Sequence, residues 1–143
     1  MDIIKRGVLS GLYSGIILGL FLKVIELTSG LKVYTLLLNI DFIYPNPLPE
    51  LVEFSLHVFV SLLIGIVFVA LCQSFKITKR NSRFFLALLI TFPTLFLYFP
   101  LTLLAIKETP SIDNFHAIFW WVLAHLLYAV ILPIPLRTKP QAP

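Results

Sequence analysis

The chain has 143 residues, of which 59% are hydrophobic and 13% charged, with a mean hydropathy of +0.97 and a net charge of +4. Soluble domains carry about 25% charged residues, so a water-exposed globule is excluded. The lone cysteine, Cys72, leaves no internal disulfide and no thiolate metal or redox motif.

A bilayer core is spanned by about 20 apolar residues in a helix. Three uncharged runs meet that length and the first, 7–22, does so by extending past Lys23, so transmembrane helices are predicted at about 7–27, 52–75, 84–106 and 115–134. The fold class expected is an all-α integral membrane four-helix bundle in a single domain. The first stretch follows Lys5 and Arg6, as a signal peptide would, but Lys23 and Glu26 stand where a small-residue cleavage site belongs. It is therefore expected to remain as a helix.

Four of the six glycines, Gly7, Gly11, Gly15 and Gly19, recur at every fourth residue of this first helix. Each costs a helix about 1 kcal/mol against alanine, so the run needs a compensating role. Small residues at spacing four let two membrane helices approach closely, in the manner of a glycine zipper. The run leads toward the embedded charges Lys23 and Glu26.

The connection 28–50 opens on Ser29-Gly30, a helix stop, and closes on Pro45-Asn46-Pro47-Leu48-Pro49, which cannot continue a helix. Between them lies an apolar stretch, Leu31 to Tyr44, too short to span. It is expected to lie along the membrane interface or fold back over the bundle, as a plain connection or as a lid.

The second helix carries its own stripe at spacing four: Glu53, His57, Ser61 and Gly65. Laid antiparallel by depth against the first, it places Lys23 and Glu26 near Glu53 and His57, and Gly19 and Gly15 near Ser61 and Gly65. Buried ionisable groups in a membrane pair with one another and mark a site. Lys23, Glu26, Glu53 and His57 are thus a candidate polar site, read either as a clasp or as a proton- or ligand-responsive element. The short 76–83 loop makes the second and third helices expected neighbours, and the 107–113 loop does the same for the third and fourth.

The third helix contains Pro93 and Pro100, and a kink is expected, with Thr91, Thr94 and Thr102 able to satisfy freed backbone groups. On the fourth, Trp121, His125 and Tyr128 share a face, and His125 completes the candidate polar site near mid-membrane; His116 is expected at the interface. The tail 137–143 reads as disordered. His57 and His125 differ in depth by roughly 7 Å at 1.5 Å per residue, which disfavours a shared haem. No paired Glu-x-x-His stands on two helices, so no metal or other cofactor is expected. With no nucleophile–base pair and no phosphate loop, no catalytic residues are assigned and the chain is not expected to be an enzyme.

Of the eleven basic residues, eight fall in the segments before the first helix, in the 76–83 loop and after the fourth. Positive residues in short loops stay cytoplasmic, so both termini are expected inside. The net positive charge is then a topology signal with contact to lipid, and it requires no nucleic acid.

The glycine-spaced first helix running into a Lys/Glu pair, the four-helix count and a histidine late in the last helix resemble the YagU-like family of small bacterial inner-membrane proteins. Where that family has a Pro-Pro-Arg-type stretch after the acidic residue, this chain has Thr28-Ser29-Gly30. The resemblance implies a small integral membrane protein of the bacterial cytoplasmic membrane and no particular reaction. Small multidrug transporters also have four helices and a glutamate in the first, but they insert in two opposed orientations, which the charge bias here opposes.

The function expected is non-catalytic: a structural, assembly or stress-linked membrane protein that contacts lipid and associates with itself or another membrane protein. The alternative is a small proton-coupled transporter or channel using Glu26, Glu53, His57 and His125.

Overall fold

A computed structural model describes residues 2–136; the predicted tail, 137–143, lies outside them. The chain forms α1 (Ile3–Ser29), the short α2 (Val33–Leu37), α3 (Glu50–Ser74), α4 (Arg80–Phe96), α5 (Tyr98–Leu103) and α6 (Phe115–Ile131), followed by a 3₁₀ turn, Ile134–Leu136. There is no strand among the described residues. Four helical stretches are long and apolar enough to cross a membrane: Ile3–Ser29, Glu50–Ser74, Arg80–Leu103 and Phe115–Leu136. The protein is a small multi-pass membrane protein built as a four-helix bundle.

The ends of these helices follow from local chemistry. Gly30 closes α1 in the left-handed conformation, at φ 75°, which only glycine adopts without strain, and its N–H reaches the Glu26 carbonyl at 2.9 Å. Asn114 caps α6 by accepting from the Ala117 N–H at 3.1 Å. The third span starts earlier than charge alone suggests, because Arg80 and Arg83 lie inside the first turn of α4. Arg83 is satisfied there by the carbonyls of Ile77, at 3.1 Å, and Leu136, at 2.7 Å.

The kink expected from the prolines is present as a break at Leu97, between α4 and α5. Pro100 has no N–H to offer the Phe96 carbonyl and its ring crowds that carbonyl, so the helix restarts. Pro93 is accommodated within α4, and Thr94 turns its hydroxyl onto the Thr91 carbonyl at 2.6 Å.

The helix order around the bundle departs from expectation. α1 packs along α3 on one side and against α6 on the other, α4 packs on α6, and α3 and α4 barely touch despite their short connection. A short loop fixes direction but not contact. The glycine face of α1 draws α3 toward itself, and the kinked α4/α5 span leans on α6. A gap is left between α3 and α4.

The apolar stretch of the 28–50 connection folds back over the bundle. Val33 and Leu36 are fully buried in α2, which packs on α1 and α5. Asn39 donates to the Leu101 carbonyl at 2.7 Å, and the buried Asp41 carboxylate accepts from the N–H groups of Ile106, at 2.7 Å, and Lys107, at 2.9 Å. This plug closes the end of the bundle above the α3/α4 gap.

Candidate functional site

The α1–α3 contact sets the depth of everything else. A Cβ built on Gly7 would overlap the backbone of Ile66, on Gly11 it would lie 2.7 Å from Leu62 Cα, and on Gly15 2.6 Å from Ser61 Cβ. On Gly19 it would press on the Phe54 ring. Gly65 in turn sits against the backbone of Gly7 and Gly11. As one chain position rises by four, the facing one falls by about four, which is the register of an antiparallel pair at close approach.

That register lies one helical turn from the predicted alignment. Ser61 faces Gly11 and Gly15, whereas Gly19 meets Phe54, and the next rung brings Lys23 to Glu50 in a salt bridge. The cause is that α3 already begins at Glu50, so the first carboxylate of its opening turn is the one that reaches Lys23.

The five predicted polar-site residues therefore do not form one cluster. Lys23 pairs with Glu50, whose carboxylate also accepts from the Tyr34 hydroxyl at 3.0 Å. Burial first, then that hydrogen bond and the surrounding carboxylates, push the Tyr34 hydroxyl well above its usual pKa, so it stays a neutral donor. Glu26 accepts from the Thr35 N–H and hydroxyl, both at 2.8 Å, with Lys32 at 3.7 Å. Glu53 is buried and pairs with Lys107. Glu26 and Glu53 border one groove at the α2 end of the bundle, but each has its own cation.

His57 turns away from these carboxylates. Its Nε2 lies 3.0 Å from the Gly15 carbonyl, so that nitrogen carries the proton, since a carbonyl only accepts. Ser61 donates to the Gly11 carbonyl at 2.7 Å. Having spent its one proton there, Ser61 accepts from the Tyr128 hydroxyl at 2.9 Å, and α1, α3 and α6 are thereby joined. His125, on α6, donates from Nδ1 to the Trp121 carbonyl at 2.8 Å and packs on the Trp121 ring with centroids 4.5 Å apart.

His57, Ser61, Tyr128, His125 and Glu53 all line a cavity of about 210 Å³ in the α3/α4 gap. Its other walls are mainly Leu, Ile, Val and Trp121, and Leu37 to Ile40, the last residue of α2 and the three beyond it, form its ceiling. Leu56 and Val60 of α3 and Leu97 beyond α4 also line it and are 41–54% exposed, so they form a rim on the flank of the bundle. No three His, Cys, Asp or Glu side chains converge as a metal site among the described residues. What the cavity offers is an apolar chamber with a few fixed hydrogen-bonding groups, the usual composition of a small-molecule pocket.

Sequence reasoning singled out His57, Ser61 and His125 but missed Glu50, Lys107, Thr35 and Asp41 as partners. Glu50, which directly follows the proline run, and Lys107, which opens the 107–113 loop, carried a signal by their positions. Their pairing depends on the fold of α2, which periodicity does not reveal. No family model, curated protein or solved structure matches this chain.

Proposed function

We propose that this is a protein of the bacterial cytoplasmic membrane, with both termini inside, that acts without catalysis by holding the apolar chain of a membrane molecule between α3 and α4. One observation carries the reading: the cavity has an apolar rim, Leu56, Val60 and Leu97, on the flank of two spanning helices, where hydrocarbon is the surrounding solvent. The clasp of Lys23–Glu50, Glu26–Thr35 and Glu53–Lys107 belongs to the same reading, since it ties the helix ends and the α2 plug into a fixed frame. A lipid-contacting assembly or stress-linked factor is the role that suits such a frame.

Trp120→Phe leaves Trp121 as the sole tryptophan, and Trp121 lines the cavity while only 1% exposed. In bilayers of chain-brominated phosphatidylcholine its fluorescence is expected to be quenched, and Ile64→Phe, which fills the chamber, is expected to remove the quenching. Fluorescence indifferent to brominated chains refutes the reading.

Proton-coupled transport is the second reading, favoured by the presence of Glu53 and His57 of α3 and His125 of α6 in the lining of one cavity. Glu26 is not part of that lining and is occupied by Thr35, so the four-residue relay of the transporter reading is interrupted. A pH-gradient-driven flux in proteoliposomes that Glu53→Gln abolishes would put transport first.

A further inference from the structure

His125 is an unusual group to leave facing an apolar chamber. It is 5% exposed, and its Nδ1 proton is committed to the Trp121 carbonyl at 2.8 Å. In the neutral ring Nε2 is then an acceptor, and it has no partner among the described residues. His125 lines the cavity, and its Nε2 is not among the sealed polar atoms that lack partners, so this acceptor is open to a donor supplied by whatever occupies the cavity.

The rest of the lining narrows that donor. No lysine or arginine lines the cavity, and the one carboxylate that does, Glu53, is already paired with Lys107. A phosphate or carboxylate head would be desolvated there without a cation, beside a negative group. An ammonium head would find its natural partner taken. A neutral hydroxyl meets neither penalty and donates one hydrogen bond. The apolar walls and the rim at Leu56, Val60 and Leu97 accommodate a chain running from that hydroxyl out to the bilayer.

Resting on the cavity reading above, we propose that the α3/α4 cavity selects a long-chain amphiphile with a neutral hydroxyl head, which donates its hydrogen bond to Nε2 of His125. The class includes long-chain alcohols and acylglycerols; a phospholipid enters only by its chain, with its head left at the bilayer surface, and a fatty-acid anion is disfavoured.

The test uses the full chain carrying Trp120→Phe, in bromine-free bilayers. Quenching of Trp121 is titrated with dodecanol brominated at its sixth carbon, with the methyl ether of that alcohol, and with the matching carboxylate. The alcohol is expected to quench at a concentration about tenfold below the ether, which cannot donate. His125→Phe is expected to erase that difference, and His125→Gln, which keeps an acceptor, to restore part of it. The two-probe comparison needs no change at His125, so a variant that fails to fold does not decide the outcome. Equal quenching by alcohol and ether overturns the head-group assignment while the cavity reading stands. Preference for the carboxylate overturns it as well, in favour of a cationic site. If none of the three probes quenches Trp121, both readings fall.

Discussion

Gly11 and Ser61 hold α1 and α3 at backbone contact. The Ser61 hydroxyl reaches the Gly11 carbonyl at 2.7 Å, and a Cβ on Gly11 would lie 2.7 Å from Leu62 Cα. Gly11→Leu is therefore expected to separate the helices and lower stability by about 3 kcal/mol or more, the upper range for overpacking. Thermal unfolding in detergent checks this, with Tyr13→Leu, on the 54% exposed face of α1, as the neutral comparison. The Glu53–Lys107 pair is the second residue-scale case. Lys107→Met leaves Glu53, 8% exposed, without its cation, and a loss of about 3–5 kcal/mol is expected. Adding Glu53→Leu should recover most of it, because the cost lies in the orphaned charge; a double-mutant cycle with no coupling would show that the pair contributes nothing. The spacing of Gly7, Gly11, Gly15 and Gly19 was readable from the chain because it needs only the helical repeat. Lys107 as the partner of Glu53 was not, since the two are 54 positions apart and meet only after α2 has folded back.

At the scale of elements, α2 and its continuation act as a plug held by side-chain hydrogen bonds to backbone. Asp41 is 6% exposed and satisfies two N–H groups of the segment after α5, while Asn39 satisfies the Leu101 carbonyl. Asp41→Ala removes both acceptor bonds, and hydrogen bonds to a charged group contribute about 1.5–3 kcal/mol each. The expected result is faster hydrogen exchange at the amides of Ile106 and Lys107, with the α1–α3 seam unchanged. Uniform loss of protection across the chain would mean instead that the plug and bundle unfold together. The proline run ending at Pro49 and the helix stop at Gly30 marked where this element had to lie. Its inward fold was legible only as one of two options, because a 14-residue apolar stretch suits an interface as well as a bundle end. The mutual avoidance of α3 and α4 could not be read at all: loop length gives direction, and the partner of each helix is decided by the faces of α1 and α6.

For the whole molecule, the arrangement of charge along the bundle ties structure to insertion. Lys76, Lys79, Arg80 and Arg83 gather at the end where α3 passes into α4, together with Lys5 and Arg6 at the start of α1. Lys23, Lys32 and Lys107 lie at the opposite end, and each pairs with a glutamate. Among the described residues the first group has no salt-bridge partner, and positive charge in short segments is retained on the cytoplasmic side. The end bearing α2 is expected to face outward. Cys72 is buried and is removed by Cys72→Ala; Ser82→Cys and Ser111→Cys then place one thiol at each end, both at exposed positions. In intact cells a membrane-impermeant maleimide is expected to label the variant at 111 and to reach the variant at 82 only after the membrane is opened. Equal labelling of both from outside would mean that the chain inserts in two orientations. The paired lysines would then offset too little of the bias to fix topology, and opposed copies, as in dual-orientation transporters, would become the working assembly.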